Sequence, residues 1–232
     1  MRKTKFATLA AAFAAAAVGA AGVAHADGNP DGRIEVKLLA TAVLPSGSVS
    51  SVPNDAAQLV SGGLVTRTAA SNNVTPTVAI EYYVRHNISL ETICCVSAHH
   101  VYATQGTLAG TTLVDHALVV PATLTAKYHF TGLGLIQPYI GAGPAVFIWV
   151  ADRPSAAAQA LGVTRTMLSS NFGGVLQAGF DLPVGHGYAL SLDAKKYFVQ
   201  TDAHFDTPTA NAESVRLNLN PWVVSAGVAF RF

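Results

Sequence analysis

Between residues 33 and 42 apolar and polar side chains alternate strictly: Ile34, Val36, Leu38 and Ala40 share one face of an extended chain, and Arg33, Glu35 and Lys37 the other. Successive side chains of a strand point to opposite sides, so this period of two predicts a strand whose faces meet different surroundings. The alternation recurs at 77–85, where Val78, Ile80, Tyr82 and Val84 oppose Thr77, Ala79, Glu81, Tyr83 and Arg85. At 88–97 Ile88, Leu90, Thr92, Cys94 and Val96 oppose Ser89, Glu91, Ile93, Cys95 and Ser97. At 116–130 Leu118, Val120, Ala122, Leu124, Ala126, Tyr128 and Phe130 oppose Thr123, Thr125, Lys127 and His129. Three more segments behave alike. Phe172, Leu176, Ala178, Phe180 and Leu182 face away from Asn171, Gln177 and Asp181 in 170–183, and Leu190 and Leu192 away from Ser191, Asp193 and Lys195 in 188–200. In 219–232 Trp222, Val224, Ala226, Val228, Phe230 and Phe232 alternate with Val223, Ser225, Gly227, Ala229 and Arg231. The run 137–150 lacks clear alternation, and its faces stay unassigned.

With that run included the chain holds eight strands. Short links near 85–87, 131–136 and 183–187 alternate with long ones near 45–74, 99–115, 151–168 and 201–218. Tight turns on one side and long loops on the other are what a membrane barrel produces, with both termini on the periplasmic side. Aromatics gather beside the short turns, at Tyr82, Tyr83, Tyr128, Phe130, Tyr139, Phe180, Tyr188, Phe230 and Phe232, and read as an inner-leaflet girdle. Lys196 falls in the apolar phase and is expected to sit near an interface or snorkel to it.

Composition agrees. The chain is 50% apolar and only 12% charged, against about 25% charged in ordinary soluble domains. A spanning helix needs about 20 apolar residues; the one uncharged run in the body of the chain, Leu133–Ala151, is interrupted by Pro138, Gly141, Gly143 and Pro144. Since only helices and closed barrels satisfy every backbone polar group in hydrocarbon, the fold expected is all-β: an eight-stranded antiparallel transmembrane β-barrel with short periplasmic turns and long external loops. Arg2, Lys3 and Lys5, the apolar stretch Phe6–Val23 and Ala24-His25-Ala26 read as a secretory signal peptide over residues 1–26, cleaved near Ala26. Residues 27–232 then form the barrel domain, expected in the outer membrane of a Gram-negative bacterium.

The formal net charge of +1 carries no nucleic-acid signal. Cys94 and Cys95 are the only cysteines and would point to opposite faces of a strand, which rules out a disulfide framework. No cofactor is implied. His99, His100 and His116 can meet across a hairpin, but with no acidic partner at fixed spacing they read as rim residues, and no metal site is assigned. Ser97 and His99 share a face, the inward one, and no catalytic residue is assigned. Inward charges, namely Glu35, Lys37, Glu81, Glu91, Lys127, Asp181, Asp193, Lys195 and Arg231, are expected to form a polar network that fills a lumen just wide enough for side chains.

Several stretches carry a family resemblance: Pro121-Ala122-Thr123-Leu124, Tyr128-His129-Phe130, Gln137-Pro138-Tyr139-Ile140-Gly141-Ala142-Gly143, Gln177-Ala178-Gly179-Phe180-Asp181, and Asn220-Pro221-Trp222-Val223 ahead of Phe230-Arg231-Phe232. In that order and spacing the chain resembles the outer-membrane protein W family. The resemblance implies an eight-stranded barrel with a narrow, partly apolar lumen that helps small hydrophobic molecules across the outer membrane. It also implies that Phe232 marks the chain for the barrel-assembly machinery. In the family an apolar residue on the third strand and an aromatic on the seventh pinch the lumen; the matching positions are Ile93 and Lys195, so a charge replaces the aromatic and an ion pair or polar plug replaces the hydrophobic gate. The solute is then expected to be caught by external loops at Leu59, Val60, Leu64, Val65 and Leu108, to pass Ile93, Phe147 and Trp149, and to leave sideways into outer-membrane lipid. The alternative is a structural or receptor barrel whose external loops bind partners.

Overall fold

The computed structural model describes residues 29, 31–45, 48–54, 62–65, 67–160, 162–206 and 213–232. The proposed leader, Leu59 and Val60 lie outside the described residues. In chain order the strands are β1 (Ile34–Leu44), β2 (Ser48–Asn54), β3 (Arg67–Ala70), β4 (Asn73–Arg85), β5 (Ile88–Cys94), β6 (Ser97–Gln105), β7 (Thr112–Thr123), β8 (Thr125–His129), β9 (Gln137–Pro154), β10 (Arg165–Leu168), β11 (Phe172–Gly185), β12 (Tyr188–Phe198), β13 (Gln200–Asp206), β14 (Glu213–Asn218) and β15 (Trp222–Arg231). A short helix, α1 (Ala156–Ala160), lies between β9 and β10.

All pairings are antiparallel, and the ring runs β1-β4-β5-β8-β9-β11-β12-β15 before β15 returns to β1. Closure is in full register, from Glu35 opposite Arg231 to Leu44 opposite Trp222, so the seam where the ring closes leaves no sheet edge in the hydrocarbon. β6 and β7 prolong β5 and β8 outward, and β3 pairs with β6 above β4. The barrel is thus the eight-stranded, antiparallel one expected.

The external connections are more ordered than their loop-like composition suggests. β6 and β7 extend to Gln105 and from Thr112, so the link near 99–115 is a hairpin with its bend at 106–111. β10, β13, β14 and β2 form a separate four-stranded sheet, a crown continuing the strands beyond the barrel. Ser155 caps α1: its Oγ accepts the Ala158 N–H at 3.0 Å and donates to the Thr112 carbonyl at 2.5 Å.

The faces follow the alternation. Leu38, Ile80, Leu90, Leu124, Leu176, Leu190 and Val228 are exposed toward lipid, whereas Glu35, Lys37, Glu81, Glu91, Lys127, Asp181, Asp193 and Lys195 are buried inside. The aromatic belt needs correction. Tyr128 packs edge-on to Phe130 and Tyr188 against Phe230 on the outside, but Tyr83 and Tyr139 are 5% and 1% exposed. Both point into the lumen, because parity along the strand, not proximity to a turn, decides the face.

The unassigned run 137–150 resolves for a related reason. Its inward positions include Gly141 and Gly143, which erase the polar half of the pattern. A Cβ on Gly141 would lie 3.0 Å from both Lys127 Cγ and Thr125 Cγ2, and Gly141 pairs with Lys127 on one side and Gln177 on the other. The bare backbone makes room for two long side chains to cross the lumen. Lys196, on the lipid phase, reaches up to the Asn220 carbonyl at 2.6 Å and lies 5.1 Å from the Trp222 ring, the snorkel expected of it.

Candidate functional site

The inward residues of the periplasmic half meet in one connected cluster. Lys37 Nζ contacts Asp181 at 2.8 Å, Glu35 at 3.1 Å and Glu81 at 3.5 Å. Lys127 Nζ bridges Glu81 at 2.6 Å and Glu91 at 2.9 Å, and sits 3.7 Å from the centre of the Tyr139 ring. Lys195 Nζ joins Glu91 at 3.0 Å to Asp193 at 2.7 Å. Neutral donors complete the set. The Gln177 amide reaches Glu91 at 3.0 Å and Asp193 at 2.6 Å, the Tyr139 hydroxyl donates to Asp193 at 2.9 Å, and Ser89 and His129 bond Glu81. Charges taken out of water are tolerated only when paired and hydrogen-bonded in this way.

Sequence reasoning placed the charged members inside but missed Tyr139, whose route to Asp193 is opened by Gly179: a Cβ there would lie 2.5 Å from the Tyr139 hydroxyl. Arg231 does not join the ion pairs. Its Nε donates to the Gly32 carbonyl at 2.6 Å and its guanidinium stacks 3.6 Å from the Tyr83 ring centre, at the periplasmic mouth. There a recess of about 360 Å³ is lined by Glu35, Tyr83, His86, His129, Asp181 and Arg231 among others.

Above the cluster the lumen changes character. An apolar cavity of about 80 Å³ is walled by Leu39, Val43, Ile93, Val119, Phe147, Trp149, Tyr197 and Val223, and Lys195 lines it as well. The Phe147 and Tyr197 rings pack at a tilt of 58° with centroids 5.3 Å apart. Of the solute-contact residues expected, Ile93, Phe147 and Trp149 therefore lie together. Leu64 and Leu108 do not line the cavity; they meet at the external tip, where the Leu108 N–H donates to the Leu64 carbonyl at 2.9 Å, and Val65 is buried. Tyr197 was overlooked although its parity with Asp193 and Lys195 places it inside.

On the cavity wall Ser97 and His99 form a hydrogen-bonded pair. His99 Nδ1 is 2.7 Å from the Ser71 carbonyl, which only accepts, so Nδ1 carries the proton and Nε2 accepts from the Ser97 hydroxyl at 2.8 Å. His100 meets Asp115 at 3.4 Å near the surface. Among the described residues no cluster of three or more His, Cys, Asp or Glu has metal-binding geometry.

The wall beside this cavity is discontinuous. β5 and β8 pair from Ile88–Tyr128 to Glu91–Thr125, and β6 and β7 resume in the same register at Ser97–Val119. Between them, 92–96 and 120–124 form no ladder with each other among the described residues, although 92–94 still pair with β4 and 120–123 with β9. β4 and β5 likewise stop at Val78–Cys94, leaving a side-chain bond from Thr75 Oγ1 to the Val96 carbonyl at 2.8 Å. Pro121 contributes to the break because it has no N–H to donate. Ile93, Cys95, Val119 and Pro121 flank the break and line the cavity.

Known proteins place this architecture. The family model described as "OmpW family" matches residues 30–232. The uncharacterized outer-membrane protein y4mB of Sinorhizobium fredii is 29% identical over 201 residues, 86% of this chain and 79% of that one. The dibenzothiophene metabolism operon protein PahQ of Pseudomonas aeruginosa is 25% identical over 163 residues, covering 70% of this chain and 74% of that one. Among solved structures, the outer membrane protein OprG from Pseudomonas aeruginosa superposes with a TM-score of 0.73 at 20% identity, over 89% of this chain and 98% of that one. The closed barrel, the family match over nearly the whole described chain and these relatives agree: the protein belongs to the OmpW family of outer-membrane β-barrels.

Proposed function

We propose that the barrel carries small hydrophobic molecules from the external face into the outer leaflet of the outer membrane. A solute enters the apolar cavity from outside, is stopped by the ion-pair cluster beneath it, and leaves sideways through the break between 92–96 and 120–124. The observation that carries this reading is the coincidence of three features: an apolar cavity, a charged floor beneath it and, beside it, a seam between two strands with no ladder. An apolar molecule moving straight down would have to displace side chains held by paired charges, whereas sideways it meets hydrocarbon. A relative named for dibenzothiophene metabolism is consistent with an apolar cargo.

The test times the uptake of a fluorescent hydrophobic probe by cells whose outer membrane lacks its own homologue, at fixed barrel abundance. Cys94 and an Ala122→Cys substitution face each other across the break by register, and a short bifunctional thiol reagent then ties the wall shut in a Cys95→Ser background. Faster uptake that is lost on tying supports the reading. Unchanged uptake with the barrel correctly inserted overturns it and leaves a structural or receptor role for the external crown.

A further inference from the structure

The cavity is apolar in area but not in chemistry. Among the described residues, the Tyr197 hydroxyl, the Trp149 Nε1–H and the smaller Thr77 hydroxyl are buried with no hydrogen-bond partner, and all three side chains line the cavity with Lys195. Tyr197 is 1% exposed. A buried donor left unmet is costly, and native proteins rarely keep one without a use for it. Trp149 can only donate, and a tyrosine hydroxyl donates readily to oxygen. What these two groups lack is therefore an acceptor.

Resting on the solute-passage reading above, we infer that the preferred cargo is an oxygenated apolar molecule, one with a neutral carbonyl at one end, and not a plain hydrocarbon. The carbonyl oxygen would accept from Tyr197 and Trp149 while the apolar remainder lies against Phe147, Val119 and Val223. A carboxylate fits less well. The floor holds three ammonium groups, Lys37, Lys127 and Lys195, already engaged by five carboxyl groups, Glu35, Glu81, Glu91, Asp181 and Asp193, so there is no surplus positive charge to receive another anion. Size points the same way. A cavity of about 80 Å³ is smaller than the ~150 Å³ that encloses a benzene ring, so the polar end of a solute leads and its bulk projects outward.

Acetophenone, cumene and benzoate match one another closely in size and differ in the group at the end. Binding of each to the barrel in lipid nanodiscs, measured by saturation-transfer NMR titration against empty nanodiscs, should rank acetophenone first. Tyr197→Phe and Trp149→Phe should each lower the preference for acetophenone over cumene by about fivefold to tenfold, the worth of one buried hydrogen bond. Both variants should keep the heat-modifiable gel mobility of the folded barrel, since neither removes a bond made within the protein. Equal binding of acetophenone and cumene, or a preference unmoved by both substitutions, overturns the inference while leaving hydrophobic passage intact. If none of the three binds above empty nanodiscs, the passage reading fails and this inference with it. Benzoate ranking first would refute the neutral-carbonyl assignment.

Discussion

Replacing Lys127 with methionine removes a cation on which several other groups depend while keeping much of its bulk. The side chain is fully buried between Glu81 and Glu91 and lies over Tyr139. After the substitution Glu81 keeps His129 at 2.7 Å and a longer contact to Lys37 at 3.5 Å, and Glu91 keeps Lys195 at 3.0 Å and Gln177. Neither carboxylate is orphaned, but both lose their closest lysine in a site closed to water. Breaking one side of a buried ion pair costs roughly 3–5 kcal/mol; with the remaining partners in place we expect the lower end, about 3 kcal/mol, or roughly a 150-fold fall in the folded-to-unfolded ratio. Adding Glu91→Gln should return about 1–2 kcal/mol, because the neutral amide no longer needs a cation. Reversible urea unfolding in short-chain phosphatidylcholine vesicles, followed by Trp149 and Trp222 fluorescence and by gel mobility, measures both. A loss below about 1 kcal/mol with no recovery in the double variant would mean that the carboxylates are hydrated, and the reasoning that makes this cluster a dry plug would be refuted.

Other expectations follow from the same geometry. In planar bilayers a Lys37→Ala, Lys127→Ala double variant should conduct ions measurably more than the parent, since two bridging side chains leave the lumen; equal conductance would show that other groups close it. Gly179→Val should slow folding into vesicles and lower stability by about 1–3 kcal/mol, because its Cβ would fall 2.4 Å from the Leu192 carbonyl oxygen and 2.5 Å from the Tyr139 hydroxyl; a stable variant would show that Tyr139 gives way. In the external crown the Arg216 Nε–H donates to Asp202 at 2.7 Å and holds that carboxyl below its ordinary value of 3.8. The pair therefore stabilises at pH above that value and its contribution is lost as pH falls through the lowered one; Arg216→Gln should raise the Asp202 titration midpoint toward 3.8, read by carboxyl carbon NMR. Deleting Phe232 should reduce the amount of assembled barrel in cells without preventing folding into vesicles in vitro, which separates recognition by the assembly machinery from stability.

The lipid-facing half of the barrel was legible in the chain because it answers to a local rule. Every outward side chain in hydrocarbon must be apolar whatever its neighbours are, so the period of two survives in Leu38, Leu90, Leu124 and Val228 without knowledge of strand order, and with it the number of strands and the sidedness of the turns. The lumen answers to no such rule. Which cation meets which carboxylate depends on staves brought together across the ring: Lys37 and Asp181 are 144 residues apart, and Gly141 and Gly179 acquire their purpose only from the Lys127, Gln177 and Tyr139 side chains that fill the space beside them. Inward positions can be charged, apolar or bare, provided the layer sums to a filled and neutralised interior. That is why 137–150 hid its alternation and why Tyr83 and Tyr139 were mistaken for girdle. The break at 92–96 was equally out of reach, since a missing ladder is a property of a pair of strands and Pro121, its one local mark, does not by itself say which neighbour goes unpaired. The sequence by itself determined that a barrel of eight strands crosses the membrane, with its charges inside. Tertiary structure alone decided that those charges close one half of the lumen and leave an apolar cavity beside an unlaced wall in the other, because packing in a closed barrel is set by contacts between strands, not within them.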